Sequence, residues 1–293
     1  PSGGDYPQIQ PAVDAASDGD TILVKSGTYR PFTIFNKALS VVADTGASVD
    51  VASFVRVHGL TVDQDVVLVG LTIVDYGSVS SHALVALDLE FNDGSVRVED
   101  CNVEGYVCNQ NAQCASGGGA YLRQCPDVSF AGCVITGGSG GWGADGLYAW
   151  GSKCAVYDGS SQGGSSSDGV GDFSCSPPTG GSGVHLNASF VLGAGSYFQG
   201  GDGGIGGVGA LGCTCGNDSG SGGFGVVSSY IWSSARLLDN TYVAGHGAPS
   251  AGCGSCCTTL GECCPGQDGL GAGGHDVGFL TGRARHLAID NPQ

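Results

Sequence analysis

The sequence predicts an all-β solenoid, a right-handed parallel β-helix with an N-terminal capping helix and long Gly/Cys-rich loop insertions. Three observations predict it. Short apolar strands recur at intervals of roughly 20–45 residues, the signature of stacked units that cannot bury their apolar faces alone. Glycine supplies 56 of 293 residues with no Gly-X-Y period, which excludes collagen and fits a chain of many turns. A single amphipathic segment precedes the first strands, as a cap would.

That segment is residues 6–16 (YPQIQPAVDAA), where Ile9, Ala12, Val13 and Ala16 fall at helical spacing. Ser17-Asp18-Gly19-Asp20 stops it. Residues 21–25 (TILVK) read as a strand, 26–29 as a turn, 31–34 as a strand, 36–38 as a turn and 39–43 as a third strand. Further units follow at 66–74, 96–104, 128–135, 153–157, 189–198 and 234–243. The chain reads as one domain over 1–293: a cap at 1–20, regular coils at 21–104, and coils with disulfide-rich insertions at 105–293.

The string Ile9-Gln10, Ala12-Val13, Ala15-Ala16, Gly19-Asp20-Thr21-Ile22-Leu23-Val24 and Gly27-Thr28-Tyr29 resembles the opening of the pectate-lyase-like β-helix superfamily. The resemblance covers the first ~45 residues closely and the rest as a repeat style. It implies the fold and no particular reaction, because lyases, hydrolases, epimerases, adhesins and phage spikes share that opening. Lys25 and Arg30 belong to its first-coil pattern and read as structural.

Aligning the strand units places Leu71, Cys101, Cys133 and Cys154 at one inward position. Such cysteines pack as compact hydrophobes or, ~4.8 Å apart, pair as disulfides; structural thiols are the preferred reading. Insertions are expected to leave one corner after Gly105, Gly137, Asp158, Gly200 and Gly245. The stretches 159–172, 200–212 and 251–274 are the most glycine-rich.

Ten basic residues face 27 acidic ones, a formal charge of −17, which disfavours nucleic acid and anionic membranes as partners. Calcium is the cation such a surface would take, although aspartates also serve turns. All 14 cysteines lie after residue 100. Disulfides are expected among Cys108, Cys114, Cys213, Cys215, Cys253, Cys256, Cys257, Cys263 and Cys264. A tetrahedral zinc site in the 253–264 cluster is the alternative. No apolar run is of membrane-spanning length. The chain has no Met, which reads as a processed form, and secretion is expected from cysteine usage.

Chemistry is harder to read. A polysaccharide lyase needs a basic group and carboxylates; Arg97, Arg123, Lys153 and Arg236 are the candidate bases, with Asp100, Asp127 and Asp158 near them. Gly245-His246-Gly247 with Asn240-Thr241 resembles fragments of polygalacturonase-like hydrolases, but paired carboxylates do not accompany them, and His246 reads as a turn residue. The glycine runs lack the context of a phosphate loop. Asn187 and Asn217 head glycosylation sequons, meaningful in a eukaryotic secretory route. Aromatic residues gather after residue 120, and Trp142, Tyr148 and Trp150 are the candidate binding residues for a sugar ring or a protein partner.

Three function classes follow. The first is an extracellular structural or assembly protein, such as a fibre or coat component, self-associating head to tail or through its loops. It fits the sparse catalytic groups and a final strand region, 279–289, with no cap like that of residues 6–16. The second is a polysaccharide lyase or glycoside hydrolase. The third is a carbohydrate-binding adhesin module.

Overall fold

A computed structural model describes residues 4–76, 85–108, 116–167, 179–204, 221–229 and 232–247, with the backbone alone at 277–279 and 287–290. The chain climbs in coils of three short strands. Coil one holds β1 (Asp20–Val24), β2 (Gly27–Tyr29) and β3 (Phe32–Phe35); coil two holds β4 (Leu39–Ala43), β5 (Val49–Ala52) and β6 (Val55–His58). Coil three holds β7 (Asp65–Val69), β8 (Leu71–Val74) and β9 (Val85–Glu90); coil four holds β10 (Ser95–Glu99), β11 (Asn102–Glu104) and β12 (Gly118–Arg123). Coil five holds β13 (Val128–Ala131), β14 (Val134–Thr136) and β15 (Leu147–Trp150); coil six holds β16 (Lys153–Tyr157), β17 (Ser160–Gln162) and β18 (Val184–Asn187). Coil seven holds β19 (Phe190–Ala194), β20 (Tyr197–Gln199) and β21 (Val226–Ser228); coil eight holds β22 (Ser234–Leu238), β23 (Thr241–Val243) and β24 (Val277–Phe279). A last strand, β25 (Leu287–Asp290), continues the first sheet.

Every third strand pairs in parallel with its equivalent one coil on. The first sheet runs β1-β4-β7-β10-β13-β16-β19-β22-β25, the second β2 to β23, and the third β3 to β24. The chain is thus a right-handed parallel β-helix. Residues 27–29, read from sequence as a turn, are the strand β2, paired with Val49 to Val51. Thr28 and Tyr29 favour extended backbone, and three residues suffice when the neighbouring coil supplies the partner.

A helix, α1 (Ile9–Ala15), covers the first coil with Ile9, Ala12 and Val13 buried. Gln10 completes the cap: its amide Nε2 donates to the Thr33 carbonyl at 3.2 Å and its Oε1 accepts the Thr33 N–H at 2.6 Å. The side chain thus imitates a paired strand at the edge of β3. Lys37 Nζ donates to the carbonyls of Val13 and Ala16 (2.8 and 2.6 Å), closing the C-terminal end of α1 with positive charge.

The core is a set of columns. One reads Leu39, Val66, Val96, Val128, Cys154, Val191 and Ala235 up the first sheet. Large and small residues compensate between columns: Gly193 has no side chain where the Phe198 ring lies, 3.0 Å from where its Cβ would stand.

At the corner between the first and second sheets, each coil from the third to the eighth bends through one left-handed residue: Gly70, Asp100, Gly132, Asp158, Gly195 and Asp239. The residue after it points inward, giving the file Leu71, Cys101, Cys133, Gly159, Ser196 and Asn240. Three of the four aligned residues fall on this file, but Cys154 does not: it stands in the valine column of the first sheet, and Gly159 takes its place. The alignment slipped because it followed sulfur, while the register follows the turn five residues later. From Leu71 onward the file also caps the bend. The Leu71 N–H donates to Cys101 Sγ at 3.4 Å, and the Ser196 N–H donates to Asn240 Oδ1 at 2.8 Å. The opposite corner repeats the device: the N–H groups of Leu60, Cys125, Ser152 and Ser189 donate to Asn92, Ser152, Ser189 and Ser233 one coil on, at 3.0–3.3 Å. Bends leave backbone donors outside the sheet ladders, and a buried donor must find an acceptor.

The glycine-rich insertions leave after the second-sheet strands and return to the third. The expected exit at Asp158 is displaced to the end of β17 at Gln162, because Asp158 is itself a corner residue. Where insertions leave and return they stack into a second layer. Its backbone bonds zigzag from coil to coil: Gly117 N–H to Tyr106 O, Gly138 to Gly117, Ala144 to Gly138, Gly164 to Ala144, Gly181 to Gly164, Gly201 to Gly181, Gly223 to Gly201 and Gly245 to Gly223, all at 2.7–3.1 Å. A Cβ on Gly138, Gly164, Gly181, Gly201, Gly223 or Gly245 would lie 1.8–2.0 Å from a carbonyl oxygen. Glycine is required there by close approach of backbone to backbone.

Candidate functional site

Among the described residues, the outer face of the third sheet carries a cluster of interacting aromatic and charged side chains. Its strands share the pattern apolar-X-apolar-Y: Val55-Arg56-Val57-His58, Leu87-Asp88-Leu89-Glu90, Ala120-Tyr121-Leu122-Arg123, Leu147-Tyr148-Ala149-Trp150 and Val184-His185-Leu186-Asn187. The apolar positions face the core. The X positions form one outer row, Arg56, Asp88, Tyr121, Tyr148 and His185, and the Y positions a second, His58, Glu90, Arg123, Trp150 and Asn187. Rungs stand ~4.8 Å apart, so neighbours in a row touch.

Arg56 Nε meets Asp88 Oδ2 at 2.6 Å. The Asp88 side chain is 2% exposed, and its Oδ1 has no partner among the described residues. Burial raises the Asp88 carboxyl above the usual range, while the Arg56 hydrogen bond and charge oppose the rise. Arg123 lies between two rings, 4.8 Å from the Phe91 centroid and 4.7 Å from that of Trp150, with Glu90 Oε1 at 3.8 Å from its Nη1. Two flanking π faces hold the guanidinium plane. Tyr121 and Tyr148 tilt together at 5.5 Å, and burial raises the Tyr121 phenol. Tyr148 meets the His185 ring edge-on at 4.9 Å, and Asn187 Nδ2 donates to Tyr148 Oη at 3.3 Å.

At the upper end of the rows stands a hydrogen-bonded relay. His185 Nδ1 lies 2.8 Å from Asp145 Oδ2, and His185 Nε2 lies 2.9 Å from Ser229 Oγ. Asp145, on the connection between β14 and β15, is oriented by the Ser182 N–H, which donates to its Oδ1 at 2.7 Å. Ser229 follows β21 directly and is half-buried.

The residues singled out from sequence divide. Arg123, Tyr148 and Trp150 come together here. Trp142 is half-buried on the β14–β15 connection, where its carbonyl accepts Ser116 Oγ at 2.6 Å. Arg97 and Arg236 are exposed on the outer face of the first sheet, four coils apart. Lys153 opens β16, also exposed. Asp100 and Asp158 are left-handed corner residues whose Oδ1 atoms lie 2.5 Å from where a Cβ on Gly132 and Gly195 would stand. An aspartate in one coil thus covers a glycine in the next. Cys108 is buried and disulfide-bonded. Cys101, Cys125, Cys133 and Cys154 are buried free thiols. Cys114, Cys213, Cys215, Cys253, Cys256, Cys257, Cys263 and Cys264 lie outside the described residues. His246 lies in the irregular stretch after β23, its N–H donating to Asp202 Oδ1 at 2.7 Å. Among the described residues no three His, Cys, Asp or Glu side chains converge as a metal site, and no helix is long and apolar enough to cross a membrane.

Sequence reasoning passed over Arg56, His58, Asp88, Glu90, Asp145, His185 and Ser229, and met Asn187 only as a sequon. The available signal was the repeated apolar-X-apolar-Y tetrad followed by a turn. A cavity of about 540 Å³ lies between α1 and β1, lined by Tyr6, Ile9, Ile22 and Tyr29, and belongs to the cap.

The fold defines a class, the right-handed parallel β-helices. No protein-family model and no curated protein matches the chain. Among solved structures, it is similar to pectin methylesterase in complex with a hexasaccharide (TM-score 0.40, 14% identity, 98% of this chain and 90% of that one). It is also similar to pectate lyase Pel9A (TM-score 0.33, 14% identity, 96% and 71%). A third similar structure is ORF18 of Geobacillus virus E2 (TM-score 0.32, 12% identity, 81% and 56%).

Proposed function

We propose that this chain is an extracellular carbohydrate-active protein that holds a polysaccharide along the outer face of the third sheet. The observation that supports this is the double row itself: Tyr121, Tyr148, Trp150 and the ring-clamped Arg123 in consecutive coils, each beside a hydrogen-bonding group. Rings of this kind stack on the apolar faces of sugars while their polar tips and neighbours meet hydroxyls. The rise of one coil is close to the length of one sugar unit, so successive rungs suit successive sugars. Arg56 and Arg123 are already matched by Asp88 and Glu90, and the chain carries −17 overall. A neutral or ester-masked polymer therefore fits better than a polyanion.

Affinity electrophoresis against neutral, acetylated and de-esterified polysaccharides tests the reading. Tyr148→Ala and Trp150→Ala should each weaken retardation by about tenfold, the scale of losing one stacked ring. Arg97→Ala and Arg236→Ala on the first sheet should leave it unchanged. No retardation by any polymer, or equal losses from both sheets, would overturn the assignment.

A second reading, a surface-assembly component, draws on the glycine layer, which presents closely stacked backbone rather than side chains. Light scattering distinguishes it: filaments support assembly, and a particle of about the 29.0 kDa chain mass counts against it.

A further inference from the structure

We infer that Ser229, His185 and Asp145 form a catalytic relay that hydrolyses short acyl esters carried by a polysaccharide. The inference rests on the saccharide-holding face proposed above. The connectivity carries it. A carboxylate holds one imidazole nitrogen at 2.8 Å, and the other nitrogen lies 2.9 Å from a serine hydroxyl. These three groups come from three different coils, 40 and 44 residues apart in sequence. The carboxylate is not loose: its second oxygen accepts the Ser182 N–H at 2.7 Å. That bond directs Oδ2 at Nδ1, so the imidazole keeps its Nδ1 proton and presents Nε2 as the base. His185 and Asp145 are about one-fifth exposed, dry enough for a strong hydrogen bond and open enough for a substrate.

The relay ends the aromatic rows, with Tyr148 edge-on to His185. A glycan lying on Tyr121 and Tyr148 would bring a substituent of its next sugar to Ser229. In the reaction Ser229 Oγ attacks the ester carbonyl carbon and its proton passes to His185 Nε2. The tetrahedral intermediate then breaks its bond to the sugar oxygen, which takes that proton and leaves as a hydroxyl. Water attacks the acyl-serine with His185 again as base, releasing the free acid and restoring the serine. The Ser229 N–H donates to the Leu186 carbonyl at 3.0 Å, so it does not serve the oxyanion. Asn187, in register with the residue after Ser228, gives one amide N–H to Tyr148 Oη at 3.3 Å, and its second N–H is the one the oxyanion would take.

Covalent labelling is the direct test. The intact protein is treated with a fluorophosphonate probe and mapped by mass spectrometry, and acetate release from acetylated polysaccharide is assayed in parallel. Labelling confined to Ser229, with acetate release cut at least 100-fold in Ser229→Ala and His185→Ala, would support the relay. Affinity electrophoresis of Ser229→Ala separates the two ideas: retained binding with lost hydrolysis supports both. Hydrolysis and labelling without dependence on Tyr148 and Trp150 would support the relay and overturn the saccharide face. Absence of labelling and hydrolysis in the wild-type protein overturns the relay, whatever the variants do.

Discussion

Coils one to three and coils five to eight share one backbone plan but are held by different forces. In coils two and three the inward corner file is aliphatic, Val49 and Leu71, above Gly27 in coil one, and the first two coils close through short turns. In the upper coils the same file becomes Cys133, Gly159, Ser196 and Asn240, the opposite corner is a run of serines, and a glycine layer is bonded alongside. Apolar burial dominates below, and satisfied backbone polarity takes a growing share above. A long insertion can therefore be ordered without a core of its own, provided its backbone meets backbone from the neighbouring coils.

The largest effect should come from filling the glycine layer. Gly181→Val puts a side chain 2.0 Å from the Ala144 carbonyl oxygen, which is backbone and cannot move aside cheaply. Loss of about 3 kcal/mol or more is expected in urea denaturation. Gly46→Ala, in open space with a left-handed backbone, should lose only about 1–2 kcal/mol. Equal losses would mean the layer contributes nothing beyond local strain.

Next comes the corner file. Asn240→Ala strands the Ser196 N–H and should cost about 1–3 kcal/mol, the scale of a buried donor left unmet. Leu71→Ala at the same position in coil three leaves a cavity and should cost about 2–5 kcal/mol. Reversal of that order would show that the polar file, not the aliphatic one, carries more of the helix.

The smallest effect is a pH slope. Burial pushes the Cys154 thiol up to about 12. In the Cys101 and Cys133 pair the shared hydrogen bond raises one thiol and lowers the other, so their effects oppose. The Cys154 thiol keeps its proton in the fold, while an unfolded thiol ionises near ~8.5. Its contribution is therefore complete below that pH and falls as pH rises from about 9 toward 12. Cys154→Val, matching Val128 and Val191 in its column, should be near neutral at pH 7 and flatten the alkaline loss. An unchanged slope in thermal melts between pH 8 and 11 would remove Cys154 as a source of it.

Much of the helix was legible because each coil repeats a local rule. Ile9, Ala12 and Val13 mark the cap, and the apolar alternation of 66–74 and 96–104 marks wall strands whatever their partners are. The sulfur file was legible for Leu71, Cys101 and Cys133 and failed at Cys154, where a valine-column cysteine mimics the pattern. The candidate site was much less legible. Arg123, Tyr148 and Trp150 are aromatic or cationic and attract notice alone. Asp88, His185 and Ser229 look like ordinary outward residues until the coils are stacked.

By itself, then, the sequence determined the period, the inward faces and the cap, since these depend on side chains a few residues apart. Which coil-to-coil neighbours meet is set by the stacking, because insertion lengths differ and register depends on where each insertion returns. His185 reaches Asp145 across 40 residues and Ser229 across 44 for that reason. The same stacking makes the glycines obligatory, because carbonyl oxygens of the adjoining coils occupy the space any side chain would need.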